Sequence, residues 1–363
     1  MTTLMQASHQ WASRPADQRF TSLIEMQQRM TYVRDHSRGR VVSSRAIELA
    51  PVGNDHRGLS VVVGDEHVYN PTHFSFGQLA QLAEAPASYL RTLPSELAAD
   101  ALNYGLGFKR GVSDVGVLTY VDGTTELRAA TGPNYGRIWN TDIISSLVDH
   151  VGDGISGDWR VPGEFGKAVT VTKDNTTLFA SDRDMFVFLA DEEHRIEMPN
   201  RRHGSAGSLA RGFFVWNSEV GDKTFGIATF LFDYVCCNRI VWGAEGFKEI
   251  KIRHTAGAPD RWLEEVKPAL LAYSQSTEST VLDTVKAAQA KKVDDLDAFL
   301  AKRFTRNRAA AIKIAHEQDE GRPMETLWDV TTGITAYARG IQQQDDRVAI
   351  ERIGGEVMSL ATA

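Results

Sequence analysis

The stretch RGFFVWNSEVGDKTFGIATFLFDYVCCNRIVWG, from Arg211 to Gly243, leaves this chain few ways to fold. Its runs FFVWNSEV and TFGIATFL flank Gly221–Asp222. Two apolar, aromatic runs joined by such a turn predict an antiparallel hairpin. Strand geometry then sends Phe214 and Trp216 to one face and Phe213, Val215 and Asn217 to the other. The hairpin is expected at the heart of a sheet, leading into a short helix across Cys236, with Asn238 at the helix end. Asn217, Ser218, Glu219 and Asn238 are polar residues inside this apolar stretch, and a structural role or a site are both open for them.

Before the hairpin, TSLIEMQQRMTYVRDH repeats apolar residues at helical spacing, with Thr21 available as a cap. VVSSRAIELAPV and LSVVVGDEHVY read as short strands. SFGQLAQLAEAPASYLRTLPSELAADALNYGL reads as helices cut by Pro86 and Pro94. VGVLTYVDGTTELRAAT is a second hairpin, turning at Asp122–Gly123, and NTDIISSLVDHV is a helix capped by Asn140 or Thr141. From Pro259 the chain turns to long helical segments rich in Ala, Leu, Glu, Lys and Arg. Within these, LWDVTTGITAYARGI is expected to pack back on the body. The expected class is α+β, with a central antiparallel sheet of hairpins, flanking helices and a C-terminal helical region. The expected divisions are a flexible arm over 1–20, an α+β body over 21–258 and a helical region over 259–363.

Composition narrows the setting. A net charge of −7 disfavours a uniformly basic nucleic-acid binder but leaves room for a local basic patch. The only two cysteines, Cys236 and Cys237, are adjacent and cannot form a disulfide framework or a four-ligand zinc site. No secretory leader or membrane-spanning run is read, so the expected location is cytoplasmic.

Several motifs fall to physical checks. GDGISG satisfies GxGxxG in letters, but a helix precedes it where a dinucleotide site needs a strand. GEFGKA lacks the spacing and the final hydroxyl of a phosphate loop. The histidines form no HExxH. Asp182 and Asp184 would share a strand face able to hold a divalent cation, but a solvated acidic turn is the preferred reading. A free cysteine in an apolar run is ordinarily a small buried hydrophobe. No catalytic residue set, cofactor or metal is expected.

Two basic groups carry more. PNRRHGSAGSLARG places Arg201, Arg202 and Arg211 around a glycine–serine loop. KRFTRNRAAAIK puts Lys302, Arg306 and Lys313 on roughly one helical face with Phe304 nearby, and Arg303 and Arg308 belong to the same basic group. Arginine interleaved with an aromatic ring suits single-stranded nucleic acid, where phosphates pair and bases stack.

FSFGQLAQLAEAPASYLRTLPSELAADALNYGL, PNYGRIWNTDIISSLV, SDRDMFVFL, FFVWNSEVGDKTFGIATFLFDYVCCNRIVWG and LWDVTTGITAYAR together resemble the phage- and plasmid-associated DUF932 family. The resemblance runs from about Phe74 to Arg339, and NSE–G with a later Cys–Asn is its most specific part. Where that family has Cys-Asn-Gly, this chain has Cys237, Asn238 and Arg239. The resemblance implies an intracellular protein of a mobile element and brings no catalytic residues with it. The expected function is single-stranded DNA binding or annealing in recombination, by an oligomer. The alternatives are an enzyme built around Asn217, Glu219 and Asn238, and a counter-defence protein that binds a host factor.

Overall fold

The computed structural model describes residues 14–52, 58–64, 67–109, 113–162, 170–201, 205–233, 238–241, 250–274 and 279–362. Along the chain come β1 (Arg19–Phe20), α1 (Leu23–Asp35), β2 (Ser37–Ser43), β3 (Ile47–Pro51), β4 (Leu59–Val63) and β5 (Val68–Pro71). Next are α2 (His73–Leu82), α3 (Ala87–Leu90), α4 (Ser95–Tyr104), β6 (Asp114–Asp122), β7 (Thr124–Thr131) and α5 (Asn140–Val151). The strands β8 (Trp159–Arg160), β9 (Leu178–Ala180), β10 (Met185–Asp191), β11 (Ile196–Arg201), β12 (Ser205–Asn217), β13 (Phe225–Asp233), β14 (Asn238–Val241) and β15 (Ile250–Ile252) follow. The remainder is helical: α6 (Ala258–Arg261), α7 (Lys267–Ser274), α8 (Ser279–Ala290), α9 (Leu296–Ala301), α10 (Arg306–Glu320), α11 (Leu327–Arg339) and α12 (Gln344–Ser359). The class is α+β, with antiparallel sheets and a helical C-terminal region.

The strands divide between two sheets. One has nine strands in the order β1-β9-β10-β12-β13-β14, with β8, β11 and β15 paired onto it. The other has six, in the order β2-β6-β7-β5-β4-β3, and only its β5–β7 pair is parallel. In this second sheet β6 and β7 form the hairpin turning at Gly123, whose φ of 61° is a conformation that glycine adopts without penalty.

The β12–β13 hairpin stands at the centre of the larger sheet, and its alternation is the one read from sequence. Phe213 and Val215 join a core with α1, α5 and α7 residues, while Phe214 and Trp216 join Phe186, Phe188 and Phe230 on the other face. Two glycines make this aromatic layer fit. Gly226 stands opposite Trp216 and Gly212 opposite Phe230, and a Cβ on either would fall within 2.3 Å of the facing ring. A second core lies between the six-stranded sheet and α2 and α4, and a third gathers α8–α12 around Trp328, Val330 and Ile334. Helix α11 therefore packs on the body as its pattern requires.

Local details differ from the sequence reading. The cap of α1 is Ser22, whose hydroxyl accepts from the Glu25 amide, while Thr21 bonds the Glu25 carboxylate. Helix α5 is preceded by Trp139, with Asn140 as its first residue and no side-chain cap from its own flank. Asn238 opens strand β14 instead of ending a helix. Cys236 and Cys237 lie outside the described residues, as does most of the N-terminal arm. From residue 14 the arm is held: Arg14 pairs with Asp184 at 2.9 Å, and β1 pairs with β9. Among the described residues no helix is long and apolar enough to cross a membrane.

Candidate functional site

The polar residues of the central hairpin form a closed clamp. Asn217, Ser218 and Glu219 are all buried. Asn217 Nδ2 donates to the Ile138 carbonyl and to Asn140 Oδ1, each at 2.8 Å. Ser218 Oγ donates to the Arg183 carbonyl and accepts the amide of Asp222, tightening the turn. Glu219 Oε1 accepts the Asn140 amide at 2.8 Å, and its Oε2 accepts from Arg128 at 2.8 Å. The Glu219 carboxylate is thus the cap that α5 lacks locally, set where the helix dipole favours negative charge. Tyr135 and Arg137 donate to the Ser218 and Glu219 carbonyls. The segments PNYGRIWN and NSE are therefore joined to each other. Asn217, Ser218 and Glu219 are at most 3% exposed, and the contacts just described lie within the fold. The Asn238 side chain lies outside the described residues. Arg239 is buried with Glu351 at 3.0 Å and joins β14 to α12.

Directly beyond the clamp lies an open cleft of about 540 Å³ at the seam of the two sheets. Helix α1 supplies Arg29, β6 Tyr120, and β7 Glu126 and Arg128, while Ser181 and Asp182 enter from the turn after β9. Glu219 and Ser37 hold the Arg128 guanidinium at 2.8 and 3.1 Å, so the hairpin motif orients a wall of the cleft. Glu126 and Asp182 are half-buried. Neither carboxyl makes a hydrogen bond or ion pair with another residue among those described. Burial pushes both above the usual carboxylate range. The Asp182 charge adds to the rise at Glu126, and Arg128 opposes it at both. Two desolvated acids with raised affinity for protons in a concave site are the kind of pair from which ligand contacts and acid–base chemistry are made.

Tyr120, which lines the cleft, also belongs to a cluster of rings, its centroid 6.3 Å from that of His36. The Tyr120 hydroxyl donates to Asp122 at 3.1 Å, and Tyr32 also bonds Asp122, which holds that carboxyl below its ordinary range. The Tyr32 and His36 rings pack tilted by 31° with centroids 4.0 Å apart, and the Arg29 guanidinium lies 5.6 Å from the Tyr32 ring. Tyr32 is 39% exposed.

Asp182 and Asp184 do not share a face. Ser181 to Asp184 forms a turn in which Ser181 Oγ accepts the amides of Arg183 and Asp184. Asp182 turns to the cleft and Asp184 to the opposite side. There Asp184, Asp222 and Asp345 bring carboxylate oxygens within 4.8 Å of one another. The Lys223 ammonium reaches all three at 3.2, 3.7 and 2.6 Å, so an internal cation already fills the position a metal would take.

The basic candidates are scattered. Arg211 is buried and paired with Asp191 at 2.9 Å, and Phe304 is buried in the third core. Neither is open to nucleic acid, which corrects both. Arg303 folds over the Phe299 ring at 4.2 Å and donates to the Phe299 carbonyl. Lys302, Arg306 and Arg308 are exposed, and none pairs with a carboxylate among the described residues. Arg202 and the side chain of Arg201 lie outside the described residues. The exposed basic candidates among the described residues therefore lie at the α9–α10 corner.

Fold and site define an α+β protein with a polar, doubly acidic cleft between two largely antiparallel sheets. The family whose model matches residues 168–353 is described as "Domain of unknown function (DUF932)", and this chain belongs to it. No curated protein and no solved structure is similar enough to be matched.

Proposed function

We propose that this protein binds a small polar ligand in the cleft between its sheets. The ligand would supply hydrogen-bond donors or positive charge to Glu126 and Asp182, and an acceptor or negative charge to Arg29. The observation that supports this reading is the pair of half-buried carboxyls, without side-chain partners among the described residues, in a cleft of ligand size. Buried polar groups are ordinarily paired within the fold, and groups left unpaired in a concavity are ones a ligand can satisfy. The same pair can hold and release a proton, so acid–base chemistry on the ligand is within reach of the site. A screen of amines, guanidines and amino-bearing heterocycles by thermal shift tests it. A true ligand at about 100-fold over its Kd adds roughly 2.7 kcal/mol, a shift of several degrees. The Glu126→Gln/Asp182→Asn double variant should lose that shift. Ligands that stabilise wild type and double variant equally would refute the cleft as their site.

A second reading rests on Lys302, Arg306 and Arg308, exposed at the α9–α10 corner with no carboxylate partner among the described residues. An intracellular oligomer could hold single-stranded DNA on this corner through phosphate contacts. Removing three such contacts should flatten the slope of log K against log salt by about 2 for single strands. Affinity and slope unchanged in Lys302→Glu/Arg306→Glu/Arg308→Glu would dismiss it.

A further inference from the structure

Resting on the cleft reading, we infer that residues 14–20 are a strap, a detachable wall of the cleft that is latched by one ion pair and lifts to admit a ligand. Pro15, Asp17, Gln18 and Phe20 all line the cleft. The strap is fixed unequally at its two ends. Next to α1, β1 pairs with β9, the Phe20 ring is buried in the core, and the Phe20 carbonyl accepts the Thr176 hydroxyl. The Arg19 guanidinium donates to the Lys173 carbonyl at 3.1 Å. At the far end the fastening is a single side chain. Arg14 Nη2 donates to both Asp184 oxygens, at 2.9 and 3.0 Å, and its guanidinium lies 5.6 and 5.5 Å from the Phe179 and Phe186 rings. Between these ends, residues 15–18 form one turn, closed by the Gln18 amide on the Pro15 carbonyl at 3.1 Å. Pro15, Ala16 and Asp17 are exposed, and among the described residues no hydrogen bond or ion pair ties residues 15–18 to the body.

Asp184 makes the latch reversible. Its carboxylate is buried, and a buried anion stripped of its only cation would oppose release. Here Lys223 reaches it at 3.2 Å and Ser181 Oγ donates to it at 2.9 Å, so Asp184 stays compensated when Arg14 leaves. Arg14 Nη1 is buried with no hydrogen-bond partner among the described residues, and water can satisfy that donor once the strap lifts. The latch also sits beside the ligand contacts. Asp184 and Asp182 belong to the one turn that Ser181 Oγ braces through the Arg183 and Asp184 amides. A ligand that touches Asp17 or Gln18 together with Asp182 holds the strap down, and by linkage the latched strap holds the ligand.

The experiment uses the full chain. Native protein is digested with endoproteinase Asp-N, and the fragment that begins at Asp17 is followed by mass spectrometry. Its rate of appearance tracks the population of the lifted strap. Arg14→Ala is expected to quicken this cleavage at least tenfold, with Arg14→Lys in between. Lys223→Met is expected to slow it, because Asp184 then has Arg14 as its one cation and release leaves it bare. General loosening of the fold would instead quicken cleavage in both variants, and circular dichroism verifies that each is folded. To tie the strap to the cleft, Glu126→Cys is labelled with fluorescein maleimide and with the much smaller iodoacetamide, and labelling is read on the peptide that carries position 126. Adding Arg14→Ala should raise the maleimide rate at least tenfold and the iodoacetamide rate by less. Cleavage unchanged in Arg14→Ala, or not slowed in Lys223→Met, would overturn the latch. Maleimide labelling indifferent to Arg14→Ala would overturn the strap as a wall of the cleft and leave the cleft reading standing. None of these rates involves a ligand, so the cleft reading fails by its own route, when the Glu126→Gln/Asp182→Asn double variant keeps the thermal shift.

Discussion

Glu219→Gln separates scaffold from chemistry at the hairpin motif. The native carboxylate makes two contacts of 2.8 Å, one to Arg128 and one to the first amide of α5, and both partners are buried. Glutamine can keep its oxygen on the Asn140 amide. Its NH₂ then faces the guanidinium of Arg128, donor against donor, and a buried cation loses its counter-charge. Breaking a buried ion pair in this one-sided way costs about 3–5 kcal/mol. Glu219→Ala also removes the cap and adds roughly 1 kcal/mol. Against a total stability of about 5–15 kcal/mol, either change is large. Urea denaturation followed by circular dichroism should show a lower midpoint at unchanged slope. Arg128→Met in the Glu219→Gln background should cost less than the two single changes summed, because the second removes a partner already orphaned. A loss below about 1 kcal/mol in Glu219→Gln, with ligand binding abolished, would refute the structural role and return the residue to the chemistry.

The aromatic layer predicts two further losses. Trp216→Ala should cost about 3–5 kcal/mol in the same melts, since the indole is buried among Phe214, Phe186 and their neighbours. Gly226→Ala, whose Cβ would lie 1.9 Å from the Trp216 ring, should cost at least the roughly 1–3 kcal/mol of ordinary overpacking, and unchanged stability would contradict the packing described. Asp182→Asn should act in the opposite direction. A folded-state affinity for protons raised above the unfolded value makes stability fall as pH rises from the ordinary carboxylate range through the raised folded value. The variant is therefore expected to melt above wild type at pH 7, with the gap closing as pH is lowered toward about 4; a constant gap would dismiss the ionisation as its cause.

What the sequence discloses follows the range of each physical signal. Strand alternation and the Asp-Gly and Gly-Asp turns act over neighbouring residues, so both hairpins and the facing of Phe213 and Phe214 are legible. The division into two sheets is not, because it depends on partners such as Arg19 with Phe179 and Asn70 with Glu126, which no local pattern links. The cap of α5 shows the same limit. A search of the flanking residues finds Asn140 and Thr141, while the carboxylate that serves comes from Glu219 on another hairpin. Thr21 in place of Ser22 is a smaller error, since both hydroxyls are used and only their partners are exchanged.

The cleft was legible only in fragments. Asp182 stood out because SDRD concentrates charge, yet the Ser181 turn sends it away from Asp184. Spacing alone does not mark Glu126 and Arg128, since charged residues two apart on a strand ordinarily form its solvent face. A distinguishing signal was present: both belong to a strand whose next three residues, Ala129, Ala130 and Thr131, are small or apolar and buried. Charge that leads into such a run borders a core, and a core boundary is where a concavity can form. The family match contains Asp182 and Glu219 but neither Glu126 nor Arg128. Glu219 nevertheless reaches the cleft by gripping Arg128. The hairpin's polar residues thus act at one remove: their own surface is sealed, and what they hold in place is the wall that a ligand would touch.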